Sequence, residues 1–423
     1  MSWVSRALWR ARFYVVHLRS LRTMHAWQEH ALTGLIRHAS AHIPLYRDSL
    51  RDAGVDPTSV RTLRDLARIP ITTKSMFLTR AVEEYTDTSR EMFVVWRTTS
   101  GTSGAPFSVV SGHVRLNPRF NDFSALRFLT WKSRTRWHYR DIRVARVMVR
   151  PHASKNRLGI SVREFLDDPS AATARLAAFK PDVLESYASI LLEIARIAER
   201  GVAAPKPAYV VSFGETLSSA LRKRIAAALH ADVYDRYGIE EVGVIGTECD
   251  HHSGYHINME SVIVEIVDES GSPLPPEHAG RVVVTDLFNY NMPFIRYDTG
   301  DWGSTTNEPC ECGLRAPRLW IDGRHSLTLT FNGKRVHHLE IDAALDGSMY
   351  AVIKYQAAKI RDDLVRLRII PGPHWSGAIG ERLRESLRAL TGADVEIELV
   401  QSLHAPRGKS RIAIDESHPS LSG

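Results

Sequence analysis

The chain has 423 residues, 43% of them hydrophobic and 24% charged, with a formal net charge of +7. This is an ordinary balance for a soluble globular protein of two or three domains, long enough to bury a large core without disulfides. No uninterrupted apolar run has the length of a bilayer span, which excludes a transmembrane segment of the usual kind.

The charge is uneven. Residues 1–48 hold seven arginines against Glu29 and Asp48, and residues 114–150 hold ten Lys and Arg against Asp122 and Asp141. Such stretches could face a polyphosphate ligand or anionic lipid. No recognised nucleic-acid module accompanies them, so no nucleic-acid partner is expected. The first 21 residues mix Trp3, Trp9 and Tyr14 with Arg6, Arg10, Arg12 and Arg19 and lack the apolar stretch and cleavage site of a secretory signal. A cytoplasmic location is expected.

Residues 1–80 read as helical. Apolar residues recur at helical spacing from Thr23 to Ala41, and Pro44 is expected to stop that helix. Leu63 to Ala67 reads as a short helix followed by an extended Ile69-Pro70-Ile71. Phe93 to Trp96 reads as a strand, and Pro106 to Val110 as a second one. Between them lies Thr98-Thr99-Ser100-Gly101-Thr102-Ser103-Gly104. No lysine follows Gly104 and a strand, not a helix, comes next, so this is no Walker loop. It reads as a strand–loop–strand phosphate grip, in which small residues let backbone N–H groups approach phosphate oxygens and hydroxyls donate as well.

The centre of the chain alternates strands and helices. Pro181 to Glu185 leads into a helix over Ile190–Arg200. Tyr209 to Ser212 forms a strand ended by Phe213-Gly214-Glu215-Thr216, then a helix from Leu217 to Leu229 leads to the strand Asp232-Val233-Tyr234. This rhythm predicts a largely parallel sheet with helices on its faces. Ligands of such sheets gather at the carboxyl ends of strands, where Gly214-Glu215 and Tyr237-Gly238 both lie. From Ser261 the pattern changes to strands and turns, a small antiparallel subdomain. Beyond Asp322-Gly323-Arg324, the segments Ala351–Ile360, Leu364–Ile370, Ala378–Leu390 and Val395–Val400 read as strand, strand, helix, strand. The fold class is α/β. Residues 1–322 are the expected large N-terminal domain, with a metal-bearing subdomain at about 245–322. Residues 323–423 are the expected mobile α+β C-terminal domain.

The cysteines are Cys249, Cys310 and Cys312. Three thiols rule out a full disulfide framework. The Cys310-Glu311-Cys312 pair, with Cys249 and a histidine from Cys249-Asp250-His251-His252-Ser253-Gly254-Tyr255-His256, would complete a closed tetrahedral zinc site of structural type. His256 is the first choice as fourth ligand, with His251 or His252 as alternatives.

The order of the serine- and threonine-rich loop, Tyr237-Gly238-Ile239-Glu240-Glu241, Ile295-Arg296-Tyr297-Asp298-Thr299-Gly300-Asp301 and Gly408-Lys409 resembles that of the adenylate-forming enzymes. With His38-Ala39-Ser40-Ala41-His42-Ile43-Pro44-Leu45-Tyr46-Arg47 and the stretch from Ile69-Pro70 to Lys74, it is most similar to their phenylacetate–CoA ligase branch, including short capsule-biosynthesis and deazaflavin-adenylating relatives. The cysteine and histidine elements also fit this branch. The resemblance implies that Thr99, Ser100, Gly101, Thr102, Ser103 and Gly104 hold the β- and γ-phosphates of ATP. It implies that Tyr237 stacks on adenine, with Asp235, Arg236, Gly238 and the Gly214-Glu215 backbone around it. Glu241 takes the place of the magnesium-binding glutamate. Asp301 would bind the ribose hydroxyls with Arg324 beside it, and Lys409 would be the catalytic cation. Tyr187, Ala188, Ser189 and Phe213 would line the acid pocket.

The implied reaction joins ATP to a carboxylic acid as an acyl-adenylate with release of pyrophosphate, then moves the acyl group to a thiol, coenzyme A first among them. A homodimer is implied by the family alone. Two departures stand out. Phe107 stands where the phosphate loop often carries Lys, and Ser326 stands where the hinge residue is usually Asp or Lys. The second leaves open an amine or other non-thiol acceptor. A non-catalytic nucleotide-binding protein is the remaining alternative, against which Glu241, Asp301 and Lys409 all argue.

Overall fold

The computed structural model describes residues 20–87, 94–98, 108–112, 142–149, 151, 156–324, 328–345, 351–372, 375–401, 403 and 413–417. These fall into two compact units. One takes in the described residues up to Thr299 and again Ser304–Trp320; the other takes in Gly300–Gly303 and the residues from Ile321 onward.

Among the described residues the first unit opens with helix α1 (Leu21–His42), capped by the Ser20 hydroxyl, which accepts from the Thr23 N–H. The helix ends before Pro44, as the spacing predicts, but the chain does not leave the helical state for long. Pro44 opens a second helix, α2 (Pro44–Asp52), because a proline at the first helical position loses no hydrogen bond and comes with its φ already set. Strands β1 (Val94–Thr98) and β2 (Ser108–Gly112) pair antiparallel, Thr98 opposite Ser108 and Val94 opposite Gly112. The expected strand–loop–strand frame is therefore present, while Thr99–Gly104 and Phe107 lie outside the described residues.

The main sheet has eleven strands. Five are mutually parallel: β3 (Val144–Met148), β4 (Arg157–Ser161), β5 (Val183–Ser186), β6 (Tyr209–Phe213) and β7 (Asp232–Ile239). After β7 the chain turns at Glu240–Val242 and the sheet goes on antiparallel through β8 (Gly243–Glu248) and β9 (Tyr255–Ile257). Strands β10 (Val262–Val267), β11 (Gly280–Asp286), β12 (Tyr297–Thr306) and β13 (Arg318–Arg324) complete it, in the order β10-β11-β12-β13-β9-β8-β7-β6-β5-β3-β4. The α/β class holds, and the antiparallel part continues the parallel sheet rather than forming one of its own. The break in sequence pattern after Ser261 marks a change of strand direction, which local patterning alone does not distinguish from a change of sheet.

The parallel strands are apolar on both faces because both are covered. On one face, Ala145, Leu184, Val210 and Val233 meet Leu176, Leu191, Ile194, Ile225 and Leu229. The latter come from the helices Pro169–Phe179, Ala188–Glu199 and Ser219–Leu229. On the other face, Val144, Val183, Val211 and Tyr234 pack with Cys249, Cys310 and Leu314.

The second unit has its own core. Strands β16 (Val352–Arg361) and β17 (Leu364–Pro371) form a hairpin; β18 (Asp394–Leu399) runs parallel to β17 and β19 (Ala413–Asp415) parallel to β16. A smaller hairpin of β14 (Thr328–Phe331) and β15 (Lys334–His337) precedes them. The helix Gly377–Thr391 lays Ile379, Leu383 and Leu387 on Ala357, Val365, Leu367 and Ile369. Its apolar residues at positions i, i+4 and i+8 make the stripe that such a sheet needs. The strand, strand, helix, strand order expected for this stretch is found, with β14, β15, β19 and the helix His338–Leu345 added.

Candidate active site and cysteine–histidine cluster

The carboxyl ends of β5, β6 and β7 gather many of the described residues singled out by sequence. Strand β5 ends at Ser186, and Tyr187 is the N-cap of the helix Ala188–Glu199. Strand β6 ends at Phe213, whose ring lies 5.0 Å from that of Tyr187. The Arg236 guanidinium sits 4.8 Å over the Phe213 ring. Gly214 follows with φ +72°, and a Cβ there would lie 3.3 Å from the Tyr187 ring. The left-handed backbone favours glycine, and the ring leaves a side chain there little room. Glu215 uses its side chain as well as its backbone: its carboxylate accepts from the Ser189 N–H at 2.8 Å and the Ser189 hydroxyl at 3.0 Å. An acid on the first turn of a helix satisfies an otherwise unpaired N–H and complements the helix dipole. Tyr187, Ser189, Phe213, Gly214, Glu215 and Arg236 therefore form one cluster.

Asp235 lies beside them on β7, opposite Ser212 of β6. It is buried, its Oδ2 accepts from the Tyr255 hydroxyl at 2.7 Å, and its N–H donates to Glu248 Oε2 at 2.7 Å. Burial, with the Glu248 charge second, pushes its carboxyl up to about 6. Glu248 is itself gripped by both Arg222 nitrogens, at 2.8 and 2.9 Å. Asp235 Oδ1 is buried with no protein donor, an acceptor suited to an exocyclic amine of a ligand. The rings of Tyr237 and Tyr255 are 5.9 Å apart. Gly238 is forced by its neighbours, since a Cβ would stand 2.4 Å from the Gly243 carbonyl oxygen across the β7–β8 turn. Tyr255, Glu248 and Arg222 were not visible as site residues in sequence, because the sheet order, not chain proximity, joins them to Asp235.

Glu241 sits in that turn. Its Oε1 accepts from the Tyr297 hydroxyl at 3.2 Å. Tyr297 is buried, its ring 5.1 Å from Phe294 and 6.0 Å from Phe77. The segment leading to Tyr297 is a junction. Asn289 donates to the Val110 carbonyl of β2 at 2.9 Å, and the Val110 N–H meets Met292 Sδ at 3.3 Å. His38 Nε2 lies 2.8 Å from the Tyr290 carbonyl. The Tyr46 hydroxyl donates to the Pro293 carbonyl at 2.7 Å and accepts from the Ile295 N–H at 3.0 Å. Thr72 bonds Ile295, Arg296 and Asp298. The histidine and tyrosine of the N-terminal signature thus brace this segment. Arg296, at φ +47°, donates to the carbonyls of Ala67, Ile69 and Gly271 and pairs with Glu265. All these ties are to protein.

In the second unit, Asp301 is buried on β12 and Arg324 ends β13. Ser326, Lys409 and most of the basic stretch 114–150 lie outside the described residues, as does the whole loop Thr99–Gly104.

The four expected metal ligands come together. One ligand atom each from Cys249, His256, Cys310 and Cys312 lies within 4.8 Å of all the others. Cys249 Sγ is 3.6 Å from Cys310 Sγ, and Cys312 Sγ is 3.3 Å from His256 Nε2. A tetrahedral site with bonds of about 2.3 Å to sulfur and about 2.0–2.1 Å to nitrogen has edges of roughly 3.8 and 3.6 Å, close to both. A disulfide would need about 2.05 Å. His256 Nδ1 faces the Ala316 carbonyl at 3.2 Å, which leaves Nε2 for a metal. The alternatives are occupied elsewhere: His251 pairs with Glu311 and His252 with Glu248. The Cys249 thiol is pushed down to about 3, first by the hydrogen bond from Cys312 and then by His256, while the same bond pushes Cys312 up.

The order of these parts sets the class. A parallel sheet turns antiparallel at an acidic turn, a strand–loop–strand hairpin is tied to its far part, and a separate α+β unit follows. This is the fold of the adenylate-forming enzymes. No protein-family model matches the chain. It is 27% identical to the phenylacetate–coenzyme A ligase of Thermus thermophilus, covering 93% of this chain and 96% of that one. It is 24% identical to the phenylacetate–coenzyme A ligase of Escherichia coli, covering 94% and 95%. Among solved structures it matches 2-hydroxyisobutyryl-CoA ligase, captured in its postadenylation state in complex with R3-HIB-AMP. The TM-score is 0.76 at 21% identity, over 92% of this chain and 89% of that one. The chain is thus similar over nearly its whole length to phenylacetate–coenzyme A ligases, and its fold is that of a solved acyl-CoA ligase.

Proposed function

We propose that this protein activates a carboxylic acid with ATP and passes the acyl group to the thiol of coenzyme A. The observation that carries this reading is the end-to-end likeness to phenylacetate–coenzyme A ligases, 27% identity over 93% of the chain. In the first half-reaction a carboxylate oxygen attacks the α-phosphorus of ATP, the bond from that phosphorus to the bridging oxygen breaks, and pyrophosphate leaves. In the second, the thiol sulfur attacks the acyl carbon and AMP leaves, the thiol proton passing to solvent.

In this proposal the residues take the following roles. Asp235 Oδ1, buried and without a protein donor, suits the adenine amine, with Tyr237 against the ring and the Gly214-Glu215 backbone at its edge. Gly238 and Arg236 complete this wall. Asp301 takes the ribose hydroxyls with Arg324. Thr99, Ser100, Gly101, Thr102, Ser103 and Gly104 hold the β- and γ-phosphates. Glu241 offers one hard carboxylate, which suits magnesium because that ion takes one or two protein carboxylates and the rest of its shell from phosphates and water. Magnesium bound there would neutralise charge on the phosphates. Lys409 bridges the acid's carboxylate and the α-phosphate. Attraction of this kind in a water-excluded cleft is stronger than in solution, and losing one such group costs about 10²–10³ in rate. Tyr187, Ser189 and Phe213 form the aromatic floor under the acid. The Cys249, His256, Cys310 and Cys312 set holds zinc as a structural ion, with no open position for chemistry. A soluble, cytoplasmic homodimer completes the proposal.

Ser326, at the hinge position usually taken by Asp or Lys, favours a second reading in which the acceptor is an amine. Pyrophosphate release over a panel of carboxylic acids including phenylacetate, with and without coenzyme A, separates the two. Turnover that needs the thiol, with an acyl-CoA product, is expected. Turnover only with an amine supports the second reading, and no release with any acid overturns both.

A further inference from the structure

We propose that Tyr297 is a positioning residue for the magnesium complex of ATP, acting through Glu241. This rests on the magnesium role proposed above for Glu241. Glu241 sits in a two-strand turn, where backbone alone leaves a glutamate with three rotatable side-chain bonds. The Tyr297 hydroxyl donates to its Oε1 at 3.2 Å. At this distance the bond is longer than the usual hydroxyl contact, and it restrains the carboxylate oxygen without displacing it.

The donor is held unusually well. Tyr297 is 3% exposed, and its ring is edge-on to both Phe294 and Phe77. Phe77 in turn packs on Tyr85 and Phe294. The Tyr297 backbone lies in a parallel bridge with Thr72, whose hydroxyl donates to Ile295 and whose carbonyl accepts from the Asp298 N–H. The N-terminal segment 72–85 therefore acts on the site through Tyr297: it packs against the ring, and the ring carries the hydroxyl to a carboxylate 56 residues away in sequence. Buried aromatic packing alone would be served by phenylalanine. The hydroxyl is the part that packing does not explain.

The test is calorimetric ATP binding in chelator and in excess MgCl2, on the full chain, for wild type, Tyr297→Phe, Glu241→Gln and the double variant. Wild type should bind ATP more tightly with magnesium than without, and Glu241→Gln should abolish that gain. Tyr297→Phe should bind ATP as wild type does in chelator and lose about threefold to tenfold of the magnesium gain, as expected for one lost hydrogen bond. In the Glu241→Gln background the Tyr297→Phe change should cost nothing more. A structural hydroxyl would instead lower the unfolding midpoint and weaken ATP binding equally with and without magnesium. An unchanged magnesium gain in Tyr297→Phe, an equal loss in both conditions, or additive losses in the double variant each overturn the proposal while leaving the role of Glu241 standing. A Glu241→Gln protein that keeps the full magnesium gain overturns both.

Discussion

Asp235 is a side chain whose burial costs the fold. Its carboxylate is buried next to Glu248 and holds a single side-chain donor, Tyr255, with the second oxygen unsatisfied. Burial and the neighbouring charge push its pKa up from the ordinary carboxylate value of 3.8 to about 6. The sign follows from linkage. A carboxyl that binds its proton more tightly folded than unfolded lowers stability as pH rises from the unfolded value through the folded one, and the whole cost is present above about 6. The Asp235→Asn variant keeps an acceptor for Tyr255 and removes the charge. It should be more stable than wild type at pH 8, by on the order of 2–3 kcal/mol from a shift of this size. That advantage should be gone by about pH 4, where both proteins are neutral at this position. Urea melts at the two pH values measure it. Equal stabilities at pH 8 would show that solvent or Arg222 relieves the charge.

The element that matters most is the segment from Asn289 to Asp298. It is irregular until β12 begins, yet it carries bonds to α1 through His38, to α2 through Tyr46, to β2 through Val110 and to the β7–β8 turn through Tyr297. Arg296 is its main fastening. With the guanidinium gone, the carbonyls of Ala67, Ile69 and Gly271 lose their donor and Glu265 keeps a buried charge with no counterion. Breaking a buried pair from one side typically costs about 3–5 kcal/mol, so Arg296→Ala should lose that much stability in a urea melt. Adding Glu265→Gln should return part of it. A loss below about 1 kcal/mol would mean the pair is solvated and the segment is held by its backbone bonds alone. Sequence patterning read the elements around this segment well. The β1–β2 frame, the alternation from β5 to β7 and the amphipathic helix of the second unit all follow from local periodicity. The same patterning carried no sign of Tyr297 donating to Glu241, of Glu215 capping at Ser189, or of Tyr255 and Glu248 flanking Asp235. Those pairs are set by which strands become neighbours. Sequence already puts His256 ahead of His251 and His252, and the structure gives the physical reason. Strand β9 places His256 in register with Thr247 and Arg318, whereas His251 and His252 fall in the turn before it and find acidic partners.

At the scale of the whole molecule, the cysteine–histidine cluster and the carboxyl ends of β5, β6 and β7 share one sheet. Cys249 and Cys310 pack directly on Val144, Val183, Val211 and Tyr234, so the cluster closes one face of the parallel strands. Arg318 reinforces it, donating to the carbonyl and hydroxyl of Ser253. The second unit's core, built from residues such as Phe331, Leu367 and Leu387, draws on none of these groups. Ligand sets of this type commonly supply folding free energy outright. The purified protein should therefore hold about one zinc per chain by elemental analysis, as four closed ligands require. Stripping the metal with a chelator should lower the thermal midpoint, and Cys310→Ser should do the same without chelator. Hydrogen exchange gives the sharper readout. After metal removal, amides of β3, β5, β6, β7, β8 and β9 should lose protection by tenfold or more, about 1.4 kcal/mol of local stability. Amides of β16, β17 and β18 should keep theirs. Uniform loss across both groups of strands would mean the metal supports the molecule through something other than the face it covers, and no loss in either would mean that packing of the thiols alone suffices.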